Sequence, residues 1–159
     1  MGARGFLVFC ACEYISFCMS TNSPLVSAVG FWYAYFGAQS KPGDGNSHVV
    51  DLTGVESFGN SSLFADAAQG VALTHRATVN VDVHAHCEHE IAVERTLGAQ
   101  IDKSGTLLER GQSIFVTGVG NSAYQGILEE GQTIRAIVSA PGDVVSITDG
   151  YISVIAQPI

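Results

Sequence analysis

The sequence predicts an all-β fold, an antiparallel sandwich or barrel, and three observations carry that expectation. Turn signals recur at short intervals, at Gly54, Gly59-Asn60, Gly70, Gly98, Gly105, Gly111, Gly118 to Gly120, Gly126, Gly131, Pro141-Gly142 and Asp149-Gly150. The runs between them are rich in Val, Ile, Thr and Tyr, whose branched or aromatic side chains suit a pleated surface. From Ala77 to Cys87 the chain alternates strictly: Ala77, Val79, Val81, Val83, Ala85 and Cys87 interleave with Thr78, Asn80, Asp82, His84 and His86. Odd positions of that run therefore go inward, and even ones face water or a neighbour.

The elements follow in chain order. The opening segment MGARGFLVFCACEYISFC holds one Arg and then apolar residues, in the manner of a signal peptide. Glu13 interrupts the apolar part early and no small-x-small cleavage pattern follows it. Phe9 also spoils LVFC as a lipid-attachment box. Met19, in MSTNSP, reads as an ordinary start, which would leave residues 1–18 outside the native chain. Three of the four cysteines, Cys10, Cys12 and Cys18, crowd into this segment, a spacing that staples nothing. No stretch reaches the roughly 18 to 20 uninterrupted apolar residues of a membrane-spanning helix, so no membrane partner is expected.

From Leu25 to Phe36 runs a dense aromatic patch ended by the loop SKPGDGNS at Ser40 to Ser47. Phe31, Trp32, Tyr33, Tyr35 and Phe36 cannot all be buried by one face of a strand or helix. The patch is either sandwiched between layers or an interface, where aromatic residues are enriched. Beyond the loop, Glu90 to Arg95, Gln112 to Val119, Ala123 to Leu128, Thr133 to Ala140, Asp143 to Thr148 and Tyr151 to Ala156 read as further strands. LLERGQSIFV at Leu107 and ILEEGQTIRA at Ile127 repeat one acidic-Gly-Gln turn leading into a strand. Helix has little room.

Composition narrows the function. Of 159 residues 47% are hydrophobic and 14% charged, against about a quarter charged in ordinary domains. Fifteen acids against seven bases give a formal charge of −8, and nearly all the acids follow Lys41. Such a chain offers no basic surface to neutralise phosphates, so no nucleic-acid partner is expected. Gly118-Val119-Gly120 lacks the lysine of a phosphate loop, and no Gly-x-Ser-x-Gly elbow is present. Cys87, with His86 and His89 beside it, could imitate a thiol and its base, but it falls on the inward phase of its strand, where a cysteine packs as a small apolar residue.

One cluster carries metal chemistry. His84 and His86 project from the same face of a strand, and with Glu90 the spacing is His-x-His-x-x-x-Glu. This resembles part of the first metal-binding motif of the cupins, a jelly-roll family. It departs from that motif at Thr78, where cupins carry a glycine, and the second half-motif is missing: Pro141-Gly142-Asp143 has the wrong spacing, and no histidine follows. The alternative is a solvent-facing strand, or histidines that pair across a subunit contact. The reading adopted assigns the chain no catalytic residue, no metal and no cofactor.

From about Ala72 onward the order of features is similar to a second family. The strand Thr74 to Cys87, the segment Glu90 to Arg95, the stretch ending in Ser122-Ala123-Tyr124-Gln125-Gly126, the turn Leu128-Glu129-Glu130-Gly131-Gln132-Thr133-Ile134 and the apolar strand Tyr151-Ile152-Ser153-Val154-Ile155 resemble the jelly-roll modules related to the complement globular head and tumour necrosis factor, in the version found in bacteriophage virion proteins. Gln132 stands where that family's turn has Asp. The resemblance implies an antiparallel jelly-roll β-sandwich, commonly assembled as a trimer, with a binding role and no catalysis.

The expectation is therefore an apolar N-terminal arm and linker at residues 1–46 and a jelly-roll β-sandwich at residues 47–159. The function expected is that of a non-enzymatic virion structural protein, a homotrimer serving as capsid decoration or as a head or tail appendage. The arm, through Phe31, Trp32, Tyr33, Tyr35 and Phe36, would bind the major capsid protein or another virion protein. Two alternatives remain from other classes. One is a small metal-dependent cupin-like enzyme using His84, His86 and Glu90. The other is a carbohydrate-binding module stacking Tyr124, Tyr151 or Trp32 on sugars.

Overall fold

The computed structural model describes residues 28–88, 95–103, 106–115, 118–142 and 144–159. Among the described residues the chain forms twelve strands: β1 (Gly30–Phe36), β2 (Gln39–Lys41), β3 (His48–Val49), β4 (Gly54–Gly59), β5 (Phe64–Ala67), β6 (Gly70–Leu73), β7 (Ala77–Cys87), β8 (Arg95–Lys103), β9 (Thr106–Phe115), β10 (Val119–Leu128), β11 (Thr133–Ser139) and β12 (Val145–Pro158). A single 3-10 turn, Ser61–Leu63, joins β4 to β5.

The strands divide between two antiparallel sheets. The first has the order β10-β7-β12-β1-β4, with β2 also paired to β12; the second has the order β5-β6-β11-β8-β9, with β3 paired to β11. From β4 onward the chain passes repeatedly from one sheet to the other, and that alternation is what makes the sandwich a jelly roll. The expected fold class is the observed one.

Between the sheets lies a core of Trp32, Phe36, Leu63, Leu73, Val79, Val81, Val83, Leu97, Ile101, Ile134, Ile152 and Val154. In β7 every odd residue from Ala77 to Cys87 is buried, as its alternation predicts. Cys87 sits in this core, 4% exposed.

The boundary at residue 46 does not survive. β1 is a central strand, flanked by β12 on one side and β4 on the other, and β2 pairs with Val145 to Ile147. The sandwich thus begins at Gly30, and the aromatic patch is its own sheet rather than an arm outside it. The physical reason is the period of two: Trp32, Ala34 and Phe36 fill the core while Phe31, Tyr33 and Tyr35 take the other face.

Strand boundaries also differ. Gln112 to Val119 straddles the end of β9 and the start of β10, and β10 begins at Val119, before the expected Ala123. Of the expected strand Glu90 to Arg95, Arg95 opens β8 and the remainder lies outside the described residues. Asp149-Gly150 is no turn, because β12 runs through it. The buried set changes phase there, from Val145 and Ile147 to Ile152, Val154 and Ala156, and the pairing with β7 slips between Ile147 and Asp149. One extra residue at this bulge swaps the face to which the following side chains point. Glycine is needed at position 150 because the Phe36 ring, directly opposite, covers it: a Cβ there would come within 2.3 Å of Phe36 Cε2 and of the His84 carbonyl oxygen.

A polar cluster ties β8 to β11. Asp102, almost fully buried, accepts hydrogen bonds from Thr133 Oγ1 at 2.6 Å and from Gln100 Nε2 at 3.3 Å, and pairs with Arg135 Nη1 at 2.5 Å. Arg135 Nε donates to the Ala68 carbonyl at 2.8 Å, fastening the β5–β6 turn to the same cluster. Burial acts to raise the Asp102 pKa, but the hydrogen bonds from Thr133, Arg135 and Gln100 outweigh it and hold the carboxyl below its usual range.

Candidate functional site

The outward face of the first sheet is built row by row from strand register. Gly54, Tyr35, Tyr151, His84 and Asn121 stand side by side across β4, β1, β12, β7 and β10. The neighbouring row is Glu56, Tyr33, Ser153, Asp82 and Ala123, and the next is Phe58, Phe31, Ile155, Asn80 and Gln125. On the other side of the first row, Asp149 and Val119 flank His86. Cross-strand neighbours on one face lie about 4.5 to 5.5 Å apart at Cβ, which lets their rings meet.

The rings do meet. Tyr33 stacks on Tyr151 with centroids 5.4 Å apart, Tyr151 stacks on His84 at 5.3 Å, and His84 meets His86 edge to face at 4.8 Å. Phe31 stacks on Phe58 at 5.1 Å with the planes 10° apart. The Tyr35 ring lies over Gly54, where a Cβ would come within 2.1 Å of it. Tyr35, Phe58 and Ile155 are 44%, 55% and 40% exposed, so this face presents large apolar side chains to its surroundings. Burial, and then the neighbouring Tyr151, Glu56 and Tyr35, hold the Tyr33 hydroxyl above its usual range, so it stays neutral at ordinary pH.

Toward the β10 edge the face becomes polar. His84 Nδ1 bonds Asn121 Oδ1 at 2.5 Å, and His86 Nδ1 bonds Asp149 Oδ1 at 2.7 Å. The two Nε2 atoms lie 3.4 Å apart. A shallow depression of about 240 Å³ beside them is lined by Asp82, Val83, Asn121, Ser122, Ala123 and Tyr151.

These positions sort the expected site residues. Of the attachment set, Phe31, Tyr33 and Tyr35 share one outward face, whereas Trp32 and Phe36 are only 3% and 2% exposed and cannot touch a particle. Trp32 and Tyr124 point into the core, which removes two of the three candidate sugar platforms; Tyr151 is taken up by its stacking on Tyr33 and His84. His84 and His86 come together as their spacing predicts, while Glu90 and His89 lie outside the described residues. Among the described residues no group of three or more His, Cys, Asp or Glu side chains is gathered to hold a metal ion. Asn121, Asp149 and Phe58 enter the face through register alone, and only the strand pairing reveals them.

Comparison with known proteins gives likeness of fold. No protein-family model matches the chain, and no curated protein matches it in sequence. Among solved structures it is similar to PRD1 vertex protein P5, with a TM-score of 0.60 and 10% identity over 82% of this chain and 97% of that one. It is also similar to murine APRIL, with a TM-score of 0.52 and 10% identity over 81% of this chain and 99% of that one. The chain therefore has the jelly-roll fold seen both in a phage vertex protein and in a tumour-necrosis-factor-family protein.

Proposed function

We propose that the chain is a non-enzymatic structural protein of a virion, a homotrimer whose copies pack through the outward face of the first sheet. The observation that carries this reading is the outward cluster of exposed Tyr35, Phe58 and Ile155 with half-buried Phe31, Tyr33 and Tyr151, on a sheet whose other face is already a complete core. A face with this many large apolar and aromatic side chains suits a symmetric contact. Likeness of fold to a phage vertex protein supports the location on a virion.

Phe31, Tyr33 and Tyr35 then serve contact between copies, and the apolar chain ahead of β1 reaches the major capsid protein or another virion protein. The role is capsid decoration or a head or tail appendage. Removing residues 1–27 tests the attachment. The shortened protein is expected to keep the circular dichroism of the full chain and to lose co-sedimentation with particles. Retained co-sedimentation would remove the attachment role from that segment.

A further inference from the structure

His84 and His86 bring two ring nitrogens, one from each imidazole, to 3.4 Å of each other. Each Nδ1 faces an oxygen acceptor, Asn121 Oδ1 for His84 and Asp149 Oδ1 for His86, so each Nδ1 carries the proton and donates it. In the neutral rings each Nε2 is therefore left with a lone pair. The structure places those two nitrogens within ion-bridging distance. Two lone pairs so placed repel unless a positive charge sits between them. A proton shared between them would make a long hydrogen bond, at the far end of the usual range. A metal ion fits well: at about 2.0 to 2.1 Å from each nitrogen, and at a tetrahedral angle, it sets the two nitrogens about 3.3 to 3.4 Å apart.

The surroundings complete the argument. A histidine that binds metal almost always donates its other N–H to a carboxylate or carbonyl, which fixes the tautomer and the ring orientation. Both rings here are held in that way, by residues from the two strands flanking β7. Tyr151 stacks on the His84 ring with planes 13° apart and so prevents it from turning away. Cα register fixes the rest, because Asn121 is the direct partner of His84 and Asp149 that of His86.

We infer that His84 and His86 form a two-imidazole clamp for a first-row divalent transition metal, with Asn121 and Asp149 as positioning residues. Imidazole nitrogen suits Zn²⁺, Ni²⁺ and Cu²⁺ over Mg²⁺ or Ca²⁺, which demand oxygen donors. With two protein ligands on an outward face, the ion keeps open positions for water and exchanges readily. The clamp lies on β7, beside Tyr151 of the proposed contact between copies and away from Phe31 and Phe58 on β1 and β4.

Calorimetry on the full chain with Ni²⁺ and with Zn²⁺ tests it. One ion per chain in the micromolar range is expected for both metals, with no heat from Mg²⁺. The paired substitution His84→Ala with His86→Ala is expected to abolish this binding. Asn121→Ala and Asp149→Asn are each expected to weaken it about tenfold while leaving both ligands in place. All four side chains lie on the outward face, and circular dichroism verifies that each variant folds. Absence of binding at millimolar metal overturns the inference. Unchanged binding in the paired variant overturns it equally, since the ion is then held elsewhere in the chain.

Discussion

The ring of Tyr151 lies stacked on the ring of His84, centroids 5.3 Å apart and planes within 13° of parallel. The contact arises because the two residues are direct partners in the β12–β7 register, which in turn depends on the bulge between Ile147 and Asp149. Without that extra residue, Tyr151 would face the core and Ile152 the outside. The share of β12 in the outward face, Tyr151, Ser153 and Ile155, is thus set by one irregularity in that strand.

The alternation of β1 separates stability from association. Trp32→Ala empties a site in the core and is expected to cost about 3 to 5 kcal/mol, read as a lower urea midpoint. Tyr35→Ala, three residues away on the outward face and 44% exposed, is expected to leave the midpoint nearly unchanged. Equal losses in the two variants would contradict the division of the patch between core and surface.

Two glycines covered by rings respond differently. Gly150→Ala must push back both the buried Phe36 ring and the His84 carbonyl, and is expected to destabilise the fold by about 1 to 3 kcal/mol. At Gly54 the nearest atoms to the added methyl are those of the half-exposed Tyr35 ring, which can swing outward. Thermal melts of Gly54→Ala should lie close to the parent, and those of Gly150→Ala well below it.

The Asp102 carboxyl gives stability a dependence on acid. Its pKa in the folded state lies below the ordinary value near about 4. The contribution is therefore complete above that value and is lost as the pH falls through it toward the lower folded pKa. Asp102→Asn leaves Arg135 without its charged partner and is expected to cost about 3 kcal/mol at neutral pH. Urea unfolding of the parent from pH 6 to pH 3 should show the decline, and the variant should lack this component of it.

Much of this fold was legible because it rests on period and punctuation. The run Ala77 to Cys87 states its inward face outright, and the glycine-rich turns mark out a sandwich. Asp149-Gly150 misled because a turn and a bulge use the same residues, and only the change of phase across them distinguishes the two. The aromatic patch misled because five large side chains within six residues look like a surface, whereas a strand with a sheet on one side divides them between core and face. The pair His84 and His86 was visible from its spacing. Its partners Asn121 and Asp149 were not, since they lie 37 and 63 residues further along the chain and arrive only by strand pairing.

Light scattering coupled to size exclusion, on the full chain and on a Tyr33→Glu, Tyr35→Glu variant, tests most directly that the outward face of the first sheet is where copies meet. The parent is expected at three times the chain mass of 16.7 kDa, and the variant at the mass of one folded chain. A monomeric parent at high concentration would contradict the account, and so would a variant that remains a trimer.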